Sequence, residues 1–123
     1  MQYLSSGFET ILNGKNQDPY TGKEILKKIS NKIYVYIDEY GSYRFVFKNG
    51  TINISALQIV YDEKNMNYPL IANVITIEKH RGKGLATELL KAATLYFNKQ
   101  IQHSRNLNEN SRAWIKKLNK INL

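Results

Sequence analysis

The sequence predicts an α+β domain: a mixed, mostly antiparallel twisted sheet with flanking helices. Three observations carry that expectation. Runs rich in β-branched and aromatic residues follow one another between residues 33 and 77. Asn49-Gly50 between two of them is a strong hairpin signal. Leu85 to Phe97 then consists largely of Ala, Leu, Glu and Lys without Gly or Pro, which is helix-forming composition. With 123 residues the chain holds one domain and one core.

Taken in order, Ser5 to Tyr20 is polar and reads as mostly irregular, with Phe8 to Leu12 as a short strand. Thr21-Gly22-Lys23-Glu24 opens an amphipathic helix with Ile25, Leu26 and Ile29 on one side. Ile33 to Ile37 is a strand, closed by the turn residues 38–42. Tyr43 to Lys48 and Thr51 to Tyr61 form the hairpin, and 62–68 is a polar loop. Leu70 to Ile77 reads as a buried strand, Leu85 to Phe97 as a helix and Gln100 to His103 as a short strand. A last helix starts near Glu109, with Asn108 as its N-cap and Trp114, Ile115, Leu118 and Ile121 as its apolar stripe. The domain thus divides into a variable part (1–30), strands (33–77), a loop and helix (81–98) and a short strand with the last helix (100–123).

Composition excludes several function classes. No apolar run reaches the roughly eighteen residues of a membrane span. Met1 to Ser6 lacks the basic start and apolar stretch of a signal peptide, so a cytoplasmic location is expected. The absence of cysteine removes disulfides and thiol nucleophiles. Two histidines, His80 and His103, do not suggest a metal site. The net charge of +8 has two readings. Scattered lysines such as Lys15, Lys23, Lys48 and Lys120 form a solvated surface, or a basic surface meets an acidic macromolecule.

The most informative segment is Arg81-Gly82-Lys83-Gly84-Leu85-Ala86, between a strand and a helix. Two glycines there let the main chain turn tightly and approach a ligand. The first N–H groups of a helix lack partners, and its dipole adds positive charge, so phosphate is the natural guest. Arg81 and Lys83 add charge at the same spot. A P-loop is excluded, because it needs four residues between its glycines and this chain has only Lys83 there. The dinucleotide fingerprint G-x-G-x-x-G fails at Thr87.

Residues 81 to 86 match, at each fixed position, the Arg/Gln-x-x-Gly-x-Gly/Ala pyrophosphate loop of the GNAT family of N-acetyltransferases, which the chain resembles from about Ile33 onward. Leu89-Leu90 falls where that helix carries its apolar pair. The resemblance implies the acyl-CoA N-acyltransferase fold, of α/β three-layer type, with acetyl-CoA (coenzyme A) as co-substrate and no metal. It implies transfer of an acetyl group to a primary amine by direct attack on the thioester. Carried over by position, Arg81, Gly82, Lys83, Gly84, Leu85, Ala86 and Thr87 bind the pyrophosphate. Main-chain groups of Val74, Ile75 and Thr76 hold the pantetheine arm, and Asn110 belongs to the cofactor site through Asn110-Ser111-Arg112-Ala113.

Two departures from the family pattern bear on the chemistry. The Tyr that protonates the leaving thiolate is missing, and Lys117 stands at its place. His103 and Ser104 are the substitute donors, or the thiolate leaves unaided, as a thiol of pKa about 8.5 tolerates. Glu78 is the candidate base, with Asp62 and Glu63 as further strand-end carboxylates. Each of these also reads as an ordinary loop or strand-end residue. The chain also ends before the last two strands of that fold, which implies a C-terminally truncated, phage-like member with an open cleft, a homodimer that completes it, or a macromolecular acceptor. Alternative readings are a catalytically degenerate acyl-CoA-binding or protein-interaction module, and a basic nucleic-acid-binding protein whose glycine turn grips backbone phosphate.

Overall fold

A computed structural model of the chain describes residues 11–12, 25–37 and 42–103. Its frame is a six-stranded sheet in the order β1-β2-β3-β4-β5-β6. The strands are β1 (Ile25–Lys28), β2 (Ile33–Ile37), β3 (Ser42–Asn49), β4 (Ile52–Val60), β5 (Leu70–Thr76) and β6 (Gln102–His103). One long helix, α1 (Leu85–Phe97), links β5 to β6 through a 3-10 turn at Glu78–His80. Neighbours from β1 to β5 are antiparallel, and β6 joins β5 in parallel. A crossover helix between two adjacent parallel strands is what allows that last pairing, since a tight turn reverses direction. The α+β class with a mixed, mostly antiparallel sheet is therefore as the composition implied.

Side-chain alternation along the strands gives the sheet two distinct faces. On one, Val35, Phe45, Leu57, Ile59, Ile71 and Val74 form the main core with Leu89 and Ala93 of α1. Ala86, Leu90, Tyr96 and Phe97 pack around them, so the buried stripe follows the three-to-four-residue spacing of a helix face. Leu95 points the other way and is 82% exposed. Tyr96 and Phe97 end the helix in an edge-to-face cluster with Tyr43, Phe45 and Tyr61; the closest pair, Tyr43 and Phe97, has centroids 4.8 Å apart. Asn98 then terminates α1 in the left-handed conformation at φ 53°, its N–H donating to the Thr94 carbonyl at 2.9 Å.

The second face carries Val46 and Ala56, covered by Leu12 and Ile11. Asn53 donates from Nδ2 to the Leu12 carbonyl at 3.0 Å and so fastens that segment to the sheet. Ile11 and Leu12 are helical, which corrects the expected strand at those two residues; Phe8 to Thr10 lie outside the described residues. Their apolar side chains fit either element, and their place against Val46 and Ala56 decided the matter.

The amphipathic helix expected from Thr21 with Ile25, Leu26 and Ile29 on one side is also corrected. Ile25–Lys28 is an edge strand, paired with β2 from Ile25↔Ile37 to Lys28↔Tyr34. Ile29 and Ser30 both donate their N–H groups to the Ile33 carbonyl, and Ser30 Oγ accepts from the N–H of Ile33 at 3.2 Å. This short Ser-Asn turn returns the chain along β2, whose row of main-chain partners outweighs a weak local helix preference. The β3–β4 hairpin forms where Asn49-Gly50 signalled it, but shifted by one residue. Asn49 pairs with Ile52, so Gly50 and Thr51 are the central residues. Only Gly50 has positive φ (65°), which fits a type II′ turn rather than type I′.

Candidate functional site

The loop after β5 is held by a short series of main-chain bonds. The Ile77 N–H donates to the Ile54 carbonyl at 3.0 Å, which keeps the chain on β4 one residue past the strand. The 3-10 turn follows, with His80 N–H donating to Ile77 and Arg81 N–H to Glu78 at 3.0 and 3.2 Å. Gly82 (φ 80°) and Gly84 (φ 79°) then both take left-handed backbone, a region closed to most other residues. A Cβ at either position would meet nothing within 4 Å. Both glycines therefore border open space and serve the backbone path, not a packing constraint.

Gly84 is also the N-cap of α1 and has no side chain with which to cap it. Its carbonyl accepts the Glu88 N–H at 3.0 Å, which starts the helical ladder. Among the described residues, the N–H groups of Gly84, Leu85 and Ala86 donate to no carbonyl or side chain. Donors left open at a dipole's positive end, beside two glycines, suit an anion.

Charged groups surround the turn. Arg81 bends back so that Nε donates to the Thr76 carbonyl at 2.9 Å, tying the loop to the end of β5. Lys83 Nζ lies 3.4 Å from His80 Nδ1. An ammonium has only donors, so Nδ1 is the acceptor and the ring proton sits on Nε2. Partial burial of the ring, with the Lys83 and Lys79 ammoniums beside it, holds His80 below the usual imidazole range. His80 is thus a neutral ring in a basic loop, an arrangement that sequence reasoning missed. Its only sequence signal is its place within Lys79-His80-Arg81.

The side of β5 that faces β6 adds the second part of the site. Ile75 offers its carbonyl to Ser55 Oγ of β4 (3.1 Å) and Ile77 bonds Ile54, so both turn their main-chain groups toward β4. By strand alternation Val74 and Thr76 turn theirs the opposite way, toward the β6 side. The Thr76 carbonyl meeting Arg81 there agrees with that direction. Of the three residues expected to hold a ligand arm by their main chain, Val74 and Thr76 are so oriented and Ile75 is not.

β6 pairs with β5 only at Leu70↔Gln102 and Ile71↔His103. Past Ile71, no described strand covers that side of β5. The register of β5 on β4 also jumps here, from Ile59↔Ile71 to Gln58↔Asn73, leaving Ala72 as a bulged residue. The bulge is what re-aims Val74 and Thr76, and no turn residue announced it. Asn73, a polar residue within an apolar run, was the nearest signal. It donates from Nδ2 to Gln58 Oε1 at 2.6 Å on the face away from α1.

The catalytic candidates are not brought together. Glu78 is exposed in the 3-10 turn at the glycine-turn end of β5, while His103 is exposed beside Ile71. At about 3.3 Å per residue, Ile71 and Thr76 are roughly 16 Å apart along β5. His103 sits at the last described pair of β5 and β6, and Glu78 beside the glycine turn. Asp62 and Glu63 follow β4 at the end of the sheet away from that turn. Ser104, Asn110 and Lys117, with the last helix, lie outside the described residues. Among the described residues no group of three His, Asp or Glu is placed to hold a metal ion. No described helix is long and apolar enough to cross a membrane.

No family model, curated protein or solved structure matches the chain.

Proposed function

We propose that this protein is an acetyl-CoA-dependent N-acetyltransferase with an acyl-CoA N-acyltransferase-like fold, transferring an acetyl group to a primary amine. The observation that carries the reading is the junction of a strand side that no described strand covers past Ile71 with a turn of unpartnered N–H groups. Val74 and Thr76 direct main-chain groups along one side of β5, and the strand runs straight into Gly82, Gly84 and the uncapped start of α1. That combination suits a ligand with an amide-bearing arm and a diphosphate. The arm lies along β5 as a surrogate strand, and the diphosphate meets the N–H groups at Gly84 to Ala86 with Arg81 and Lys83 beside them.

In this reading the thioester lies toward Ile71 and His103, the last described pair of β5 and β6. A main-chain N–H of β5 polarises its carbonyl, a contribution of about 2.7–4 kcal/mol for one oxyanion donor. The acceptor amine loses its proton, attacks the carbonyl carbon and expels the thiolate, which takes up a proton. His103 is the described titratable group at that pair and the candidate for moving that proton. Glu78, at the phosphate end, is a poorer candidate on distance. Most of the barrier lowering comes from holding two reactants in attack geometry.

The test is coenzyme A release in the presence of polyamines, lysine peptides and aminoacylated RNA, run beside a thermal melt with acetyl-CoA. At a hundredfold excess over Kd, acetyl-CoA raises stability by about 2.7 kcal/mol. A melting point unmoved by acetyl-CoA defeats the proposal. Stabilisation without release from any acceptor favours the binding-module alternative.

A further inference from the structure

The sheet face away from α1 carries a cluster of cations and tyrosines unrelated to the glycine turn. Lys28 of β1 stands opposite Tyr34 of β2, and Tyr36 stands opposite Arg44 of β3. Lys48 lies two residues beyond Val46, the partner of Tyr34, and so shares their face. The Lys28 ammonium lies 6.0 Å and the Lys48 ammonium 5.5 Å from the Tyr34 ring centroid. The Arg44 guanidinium lies 4.3 Å from that of Tyr36. Lys32 flanks the cluster at the turn end of the sheet: its carbonyl accepts the Lys48 N–H at 2.7 Å, and its ammonium lies over Phe47, a ring of the α1 face.

Charge balance singles this cluster out. Among the described residues, Lys28, Lys32 and Lys48 form no ion pair with a carboxylate, and the described acidic residues, Asp62, Glu63, Glu78 and Glu88, all lie outside β1 to β3. Their ammoniums rest over aromatic rings, Lys32 over Phe47 at 6.0 Å, with Lys48 also donating to Asn53 Oδ1 at 2.7 Å. Rings hold such cations in place without neutralising them. Among the described residues no carboxylate offsets the positive charge of this corner.

We propose that this surface binds single-stranded nucleic acid, with Lys28, Lys32 and Lys48 contacting successive phosphates and the Tyr34 ring stacking a base. A phosphate draws an ammonium off the ring, and the ring face it vacates is a stacking platform. Cations interleaved with aromatic rings are the arrangement that single strands recognise, whereas an acidic polypeptide uses only the charge. Ile11 and Leu12 cover Val46 and Ala56, Tyr36 packs against the same cluster, and Lys28 and Lys32 stay exposed.

The experiment is fluorescence anisotropy of the full chain with a labelled single-stranded oligopyrimidine across a salt series. The unchanged protein binds at low salt, and log K falls linearly with log salt. In K28Q/K32Q/K48Q that slope flattens by about 2, at about 0.7 for each phosphate deprived of its lysine. Tyr34→Leu weakens binding by about fivefold and leaves the slope unchanged. Circular dichroism melts verify folding; should the triple variant fail to fold, each single variant carries the test at a slope change of about 0.7. No binding at low salt, an unchanged slope in the lysine variants, or equal binding of a polyglutamate peptide overturns the proposal. Coenzyme A titration of the same variants reports on the glycine turn and is expected to be unaffected.

Discussion

Replacing Gly84 by valine separates the two things a glycine does at this turn. Its φ of 79° puts the backbone in the left-handed region. A β-branched residue there destabilises the fold by about 1–2 kcal/mol. For a domain of this size that corresponds to a fall in Tm of about 4–8 °C. No protein atom lies within 4 Å of the new Cβ, so no further clash adds to that figure. The isopropyl group instead enters open space at the start of α1, beside the N–H groups that would hold the proposed diphosphate. The expected outcome by titration calorimetry is a folded protein that gives no heat with coenzyme A. Gly50→Val is the control, because Gly50 also has positive φ (65°) and open space around its Cβ, but lies in the β3–β4 turn. It is expected to lose comparable stability and keep coenzyme A binding. If Gly84→Val binds coenzyme A as tightly as the unchanged protein, the glycine turn is not the phosphate site.

Two further outcomes follow from the same geometry. His80 is held below the usual imidazole range by partial burial and by Lys83 and Lys79, so it is neutral at pH 7 and gains its proton only as pH falls. A bound anion favours the charged ring, which raises its pKa; coenzyme A affinity therefore increases as pH drops through that lowered value. The increase should vanish in His80→Gln, a comparison that cancels the ligand's own titration, and identical pH profiles would exclude His80 from the site. Leu89, fully buried between α1 and the sheet, is expected to cost about 2–5 kcal/mol when changed to alanine, read by guanidinium unfolding. A loss below about 1 kcal/mol would mean that α1 is not docked as described.

Elements whose information is local were legible in the chain. Leu85 to Phe97 carries its helix in composition and in the spacing of Ala86, Leu89, Leu90 and Ala93, and Asn98 supplies the left-handed stop. The β3–β4 hairpin follows from Asn49-Gly50, because a turn depends on the φ its own residues tolerate. Gly82 and Gly84 announced positive φ next to a helix start for the same reason.

What depends on a partner distant in sequence was decided by the tertiary structure alone. Ile25–Lys28 is a strand because β2 offers it a row of hydrogen bonds, not because its residues demand one. The bulge at Ala72 arises from the fit of β5 on β4, and it turns Val74 and Thr76, not Ile75, toward the side away from β4. The separation of Glu78 from His103 follows from the parallel register of β6 on β5, set by the length of α1 and by where its end docks. Tyr34, Lys28 and Lys48 come together only across three strands. Backbone preferences act over a few neighbouring residues and are written in the chain, whereas pairing register and face composition arise only once the sheet is assembled.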